Sequence, residues 1–223
     1  MALDLASAQS TLHAAMGAPW FTAGEGGRAR LAVYEAGPRD GGGAPPVVLL
    51  HGFPELAFSW RAQMGALGAA GRRVLAPDQR GYGASERPEA LESYAMAELV
   101  DDAIALIDEA GAERAVWVGH DWGGFVAWAL AQMRPERTAG VVGVNTPFQP
   151  RGRRPPLEAL AHRHGPEMYV LHFQEPGAAD ALWEADVERS LRFFLARPPP
   201  GAKAGGGPLP LDLQNSFARF DPA

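Results

Sequence analysis

The chain has 223 residues, 47% of them hydrophobic, enough for a substantial core in one large domain or one domain with an insertion. A formal net charge of −6, with no basic cluster longer than Arg151, Arg153 and Arg154, excludes a nucleic-acid partner, because phosphate contacts need concentrated Lys and Arg. There is no cysteine for a disulfide or a thiolate metal site, Asp4 stands where a signal peptide carries positive charge, and no apolar run reaches the ~18 residues of a membrane span; a soluble, cytoplasmic protein with no membrane contact is expected.

After a helical or loose start, RARLAVYEAG (about 29–36) alternates as a strand does, and GPRDGGGAPP makes a solvated turn. VVLL (47–50) is a short apolar run of the kind buried on both faces of a sheet, and it ends in His51-Gly52-Phe53-Pro54. Residues 59–70 suit a helix and 72–78 a second buried strand. The stretch 93–111 reads as a longer helix with Ser93 as N-cap, Gly111 past its end, and Met96, Leu99, Val100, Ala103, Ile104, Leu106 and Ile107 on one face. AVWV (115–118) is a third buried strand, 122–133 a helix stopped before Pro135, and 139–145 a fourth strand. Strands alternating with helices predict an α/β protein with a mostly parallel sheet covered on both faces. Past Pro147 the pattern becomes proline-rich and then helical, with a helix over 181–196 that turns Leu182, Val187, Leu191 and Phe194 inward, followed by a Pro/Gly loop without a core of its own. The expected division is therefore a core over 1–147 and a helical insertion over 148–223. That last loop holds Lys203, the only lysine, and such near-exclusive use of arginine reads as the coding bias of a GC-rich bacterium.

Gly119-His120-Asp121-Trp122-Gly123-Gly124 lies between a strand and a helix, with small residues two before and two after the aspartate. That is the spacing of the nucleophile elbow G-x-S-x-G, in which the backbone turns sharply and presents the middle side chain above the sheet. Asp121 in the serine's place is either a cap for the next helix or a reactive carboxylate. Two other segments bear on the choice: His51-Gly52-Phe53-Pro54-Glu55, and Asp78-Gln79-Arg80-Gly81-Tyr82-Gly83-Ala84-Ser85, where Asp78 and Arg80 have the option of pairing. All of these follow strands, at the carboxyl ends where open parallel sheets bind ligands.

In HGFPE, DQRGYGAS, GHDWGG, NTPF (145–148) and YVLHFQEPG (169–177), the chain resembles the α/β-hydrolase-fold epoxide hydrolases from about residue 18 to about residue 195. The resemblance implies the α/β-hydrolase fold: a mostly parallel sheet with helices on both faces and the beginning of a helical cap over 148–223, the last strands missing. It implies that Asp121 is a covalent nucleophile, that the backbone N–H groups of Phe53 and Trp122 form an oxyanion hole, and that Tyr169 of the cap polarises the epoxide oxygen. Phe53, Pro54, Trp122, Phe148 and Tyr169 are then the substrate-binding residues, for a small apolar epoxide and water, with no cofactor and no metal.

The chemistry accounts for these residue types. A carboxylate that attacks a saturated carbon yields an ester, which water hydrolyses to release a diol, whereas a serine would yield an inert ether. The oxyanion of the second step needs aimed N–H donors. The alkoxide left by ring opening needs a proton, which a tyrosine of reference pKa about 10 still carries at neutral pH. His51 and His120 are expected to hold loop backbones, and His162, His164 and His172 lack the convergent acidic partners of a metal site. The family's base histidine and its acid have no counterpart: Asn145 stands where some dehalogenases keep their acid, and no histidine follows a late strand. A fragment is the expected explanation, one whose 139–144 strand is an exposed apolar edge. A haloalkane-type dehalogenase with the same Asp nucleophile, and a non-catalytic binder of apolar ligands, are the alternative readings.

Overall fold

Along each central strand, successive side chains point to opposite faces, and this sorts the core into two layers in the computed structural model, which describes residues 13–26, 28–150, 152–166, 168–195 and 217. Among these residues one sheet contains β1 (Trp20–Phe21), β2 (Ala32–Ala36), β3 (Val47–Leu50), β4 (Val74–Pro77), β5 (Ala115–His120) and β6 (Thr138–Val144), in the order β1-β2-β4-β3-β5-β6. Strands β4, β3, β5 and β6 are mutually parallel, and β1 and β2 are antiparallel additions at one edge. The helices are α1 (Arg61–Ala69), α2 (Met96–Glu109) and α3 (Trp122–Met133), followed by α4 (Pro156–His164), α5 (Tyr169–His172), α6 (Ala178–Glu184) and α7 (Val187–Leu195).

Val48, Leu50, Leu75, Ala115 and Trp117 point to the face covered by Val100, Ile104 and Ile107 of α2 and by Val126 and Leu130 of α3. Val47, Leu49, Val74 and Ala76 point the other way, onto Trp60 and onto Met64 of α1. Each of the Val, Leu, Ile and Met side chains among these contributes about 1.5–3 kcal/mol by its burial.

Several expectations need correction. Trp20–Phe21 is a short strand in the segment read as a loose start. The AVWV strand continues through Gly119 to His120, which brings the elbow directly onto its end. Ser93 does not cap α2: Ala95 precedes the helix without a side-chain cap, while Ser93 lies in a 3-10 turn and gives its carbonyl to the buried Arg80 guanidinium. Arg80 pairs with Asp102 of α2 and not with Asp78, whose carboxylate instead accepts the Ala57 and Ala84 N–H groups.

The chain divides into two compact units, Met1–Gln149 and Pro150–Ala223. Within the second, Trp183 meets the rings of Phe193, Phe194 and Phe217 at centroid distances of 6.3, 5.2 and 4.7 Å. That cluster turns the Phe193 side of α7 inward, and Val187 and Leu191, expected inside, are exposed. No helix among the described residues is long and apolar enough to cross a membrane.

Candidate active site

Because β4, β3, β5 and β6 are parallel neighbours, the loops after them emerge side by side at one end of the sheet. They carry Asp78-Gln79-Arg80, His51-Gly52-Phe53-Pro54-Glu55, the elbow around Asp121, and Asn145-Thr146. The elbow is closed by contact between backbones. A Cβ on Gly119 would lie 2.1 Å from Gly123 O, and one on Gly123 would lie 2.1 Å from Leu50 O, so only glycine lets α3 start this close to β5 and β3. Between them Asp121 adopts φ 52° and ψ −118°. A non-glycine residue held there costs of order 1–3 kcal/mol, supplied by the surrounding structure.

Asp121 occupies the cap position of α3, yet its side chain makes no capping hydrogen bond. Instead Phe53 N–H donates to Asp121 Oδ1 at 3.0 Å. The other oxygen, Oδ2, accepts nothing among the described residues. Asp121 N–H donates to Asn145 Oδ1 at 3.1 Å, and its carbonyl accepts from Thr146 Oγ1 at 2.9 Å and from Gly124 N–H at 3.0 Å. Trp122 is the first residue of α3, so its N–H has no acceptor inside the helix, and its exposed ring leans on Phe125 at 5.4 Å. Pro54 follows Phe53 through a cis peptide bond. Exposed Phe148 meets Trp128 edge-on at 5.5 Å. Tyr169 belongs to the second unit, where it opens α5 and its ring meets Phe173 at 5.6 Å.

Both histidines beside the motifs are engaged in loop architecture. His51 is fully buried; Nδ1 donates to Gly52 O at 2.9 Å, Nε2 accepts from Gln79 N–H at 3.0 Å, and Gln79 Nε2 donates back to His51 O at 2.6 Å. A carbonyl on one nitrogen and an N–H on the other fix the neutral tautomer. Burial is the largest influence on this imidazole and lowers its pKa, against the opposing effects of the Gly52 carbonyl, Asp78 and Glu55. His120 Nδ1 meets Glu55 Oε2 at 3.1 Å, tying the elbow to the loop that carries Phe53.

Motif spacing does not disclose three participants. Tyr82 stands edge-on to His51 at 4.9 Å, and burial first, then the Asp121 charge and Tyr94, push its phenol up to about 12. It is thus protonated at neutral pH, in the same unit as the carboxylate. Asn145 and Thr146 hold the Asp121 peptide; they open the NTPF segment, and Asn145 stands at a strand end, as a residue that tolerates positive φ. No group of three His, Asp or Glu side chains among the described residues could hold a metal. A hollow of about 440 Å³ bordered by Asp108, Arg114, Glu136 and Arg137 lies before β5 and β6, at the opposite end of the sheet from Asp121. Its charged lining and the Asp108–Arg137 ion pair mark it as a solvated trough.

A family model described as alpha/beta hydrolase fold matches residues 45–194. Epoxide hydrolase A of Mycobacterium tuberculosis is 50% identical over 187 residues, which cover 82% of this chain and 57% of the relative. Bifunctional epoxide hydrolase 2 of Sus scrofa is 43% identical over 156 residues, 69% of this chain and 28% of the relative. The crystal structure of epoxide hydrolase A from Mycobacterium thermoresistibile superposes with a TM-score of 0.74 at 47% identity, covering 80% of this chain and 56% of that one. An epoxide hydrolase from Vigna radiata gives 0.73 at 37% identity, covering 88% and 62%. The chain spans about half the length of the bacterial relative and less of the mammalian one.

Proposed function

Since the chain belongs to the α/β-hydrolase fold family, we propose that it carries the alkylating half of an epoxide hydrolase, in which Asp121 opens an epoxide by forming a covalent ester. The observation that carries the reading is the Phe53 N–H on Asp121 Oδ1 at 3.0 Å, combined with the missing cap bond. A capping aspartate turns toward its own helix. This one turns away, with one oxygen anchored and the other, Oδ2, available to attack.

In the proposed reaction a lone pair of Oδ2 forms a bond to an epoxide carbon. The ring C–O bond breaks, its electron pair stays on the epoxide oxygen, and Tyr169 of the second unit, the proposed cap, hydrogen-bonds that oxygen and supplies its proton. Oδ1 becomes the ester carbonyl oxygen without leaving its donor. When water adds to the ester carbon, charge collects on that same Oδ1, where the Phe53 and Trp122 N–H groups stabilise it. Pro54, Trp122 and Phe148 contribute apolar surface for the substrate. The names of the relatives support an epoxide as that substrate.

Water attack also needs a base. Both ring nitrogens of His51 are committed to main-chain partners, and His120 is turned to Glu55. This chain tested alone is therefore expected to gain the mass of one epoxide and to keep it. Intact-protein mass spectrometry after treatment with styrene oxide checks this, with Asp121→Asn as the unreactive control. An equal adduct on the Asn variant would overturn the nucleophile assignment. Steady multiple-turnover diol formation would overturn the persistence of the ester, and halide release from a haloalkane without an epoxide adduct would move the chain to the dehalogenases.

A further inference from the structure

We infer that Asn145 and Thr146 are positioning residues for the nucleophile: together they hold the Asp121 peptide so that its carboxylate rests on Phe53 N–H instead of capping α3. The inference rests on the proposed role of Asp121 and adds a cause for its orientation.

The hydrogen bonds form a closed ring. Asp121 N–H donates to Asn145 Oδ1 at 3.1 Å, and Thr146 Oγ1 lies 2.9 Å from Asp121 O and 3.1 Å from Asn145 Oδ1. Both of the latter oxygens are acceptors, so the single hydroxyl proton is shared between them. The same chemistry orients the Asn145 amide, since only its oxygen can accept from an N–H. The residues that do the holding are themselves held. Thr146 is 6% exposed, its carbonyl accepts from Trp128 Nε1 at 2.9 Å, and its Cβ would lie 2.5 Å from any Cβ placed on Gly124. Asn145 sits at φ 61°, in the left-handed region that Asn, Asp and Gly enter most readily.

Without this ring, an aspartate at the start of a helix satisfies itself by accepting the N–H of the second or third helical residue, here Gly123 or Gly124. With it, Gly124 N–H is taken by the Asp121 main-chain carbonyl at 3.0 Å. The peptide is then clamped at both N–H and C=O in its strained conformation, and the side chain projects across to the loop after β3, where Phe53 N–H meets it. The loop after β6 thus fixes the direction of attack without touching the reacting atoms.

The test uses the whole chain and two pairs of variants. Asn145→Gly keeps the backbone conformation accessible and deletes the acceptor, whereas Asn145→Asp keeps both. Thr146→Val deletes the hydroxyl at nearly constant shape, and Thr146→Ser keeps it. Displacement of a reacting group by about 1 Å costs on the order of a hundredfold in rate. Asn145→Gly and Thr146→Val are therefore expected to lower the maximal rate of adduct formation with styrene oxide about ten- to a hundredfold. The half-saturating concentration stays unchanged, and Thr146→Ser remains near wild type. A second measurement does not depend on any reaction: hydrogen exchange at the Phe53 backbone amide, whose N–H is held by Asp121 Oδ1. Exchange is expected to speed up in Asn145→Gly and Thr146→Val and to stay slow in Asn145→Asp and Thr146→Ser. Wild-type adduct rates, or unchanged Phe53 exchange, in the deleting variants would overturn the inference. If the wild-type chain forms no adduct, the proposed function fails while Phe53 exchange still decides the role of Asn145 and Thr146.

Discussion

At the scale of single residues, the site is organised by groups that have given up their own freedom to fix a neighbour. His51 is the clearest case: its buried ring bridges Gly52 O and Gln79 N–H, joining the loops after β3 and β4. The arrangement makes stability depend on pH with a definite sign. Burial lowers the pKa of the folded-state imidazole below its ordinary value, while the unfolded chain titrates near 6.5. Above about pH 6.5 both states are neutral and the contribution is complete; as pH falls below that value the unfolded chain takes up the proton first, and stability drops until the depressed folded pKa is reached. Urea unfolding at pH 8, 7, 6 and 5.5 should show this decline in the wild type. His51→Asn should be less stable at pH 8 but flatter over the same range. A wild-type curve no steeper than that of the variant would count against the assignment.

At the scale of elements, the ion pair between Arg80 and Asp102 locks the loop after β4 onto α2. Arg80 Nε meets Asp102 Oδ2 at 2.6 Å and Nη2 meets Oδ1 at 2.7 Å, and Ala29 N–H donates to Oδ1 at 2.9 Å. Removing one partner of such a buried pair costs about 3–5 kcal/mol, because the other charge is left without compensation. Asp102→Ala should lower the urea midpoint by a corresponding amount, and adding Arg80→Met should recover much of the loss; a double variant as unstable as the single one would contradict this account. The same pair shows where sequence reading stops. Apolar periodicity located α2 and its buried face, because Val100, Ile104 and Ile107 recur with the helical repeat. It carried no information about Asp102, since the partner of a buried charge is set by tertiary distance. Arg80 was accordingly assigned an option with Asp78, its neighbour in the chain. The elbow was legible for the opposite reason: Gly119 is required by its contact with Gly123 and Gly124, a few residues on, and spacing records that. Asn145 and Thr146 were visible as the start of the NTPF segment, but their hold on Asp121 was not, because only the pairing of β5 with β6 brings them to it.

At the scale of the whole molecule, β6 pairs only with β5 among the described residues and presents Val142 at 48% and Val144 at 39% exposure. Helix α3 exposes Trp122, Phe125 and Met133 as well. An open apolar strand edge is a template for pairing with another copy. The chain is expected to self-associate as its concentration rises, and Val142→Lys, which adds charge to the edge, should reduce the effect in light scattering. A wild type that stays monomeric at every accessible concentration would refute this. The position of that edge also bears on time. Amides of β3 and β5 lie inside the sheet, whereas a strand paired on one side opens at lower free energy and exchanges its hydrogens sooner. Asn145 and Thr146 follow that strand directly, and Asp121 follows the strand it pairs with. Each fluctuation that separates β6 from β5 therefore also loosens the hold of Asn145 and Thr146 on the Asp121 backbone, so the Asp121 carboxylate keeps its direction for as long as the β5–β6 pairing lasts.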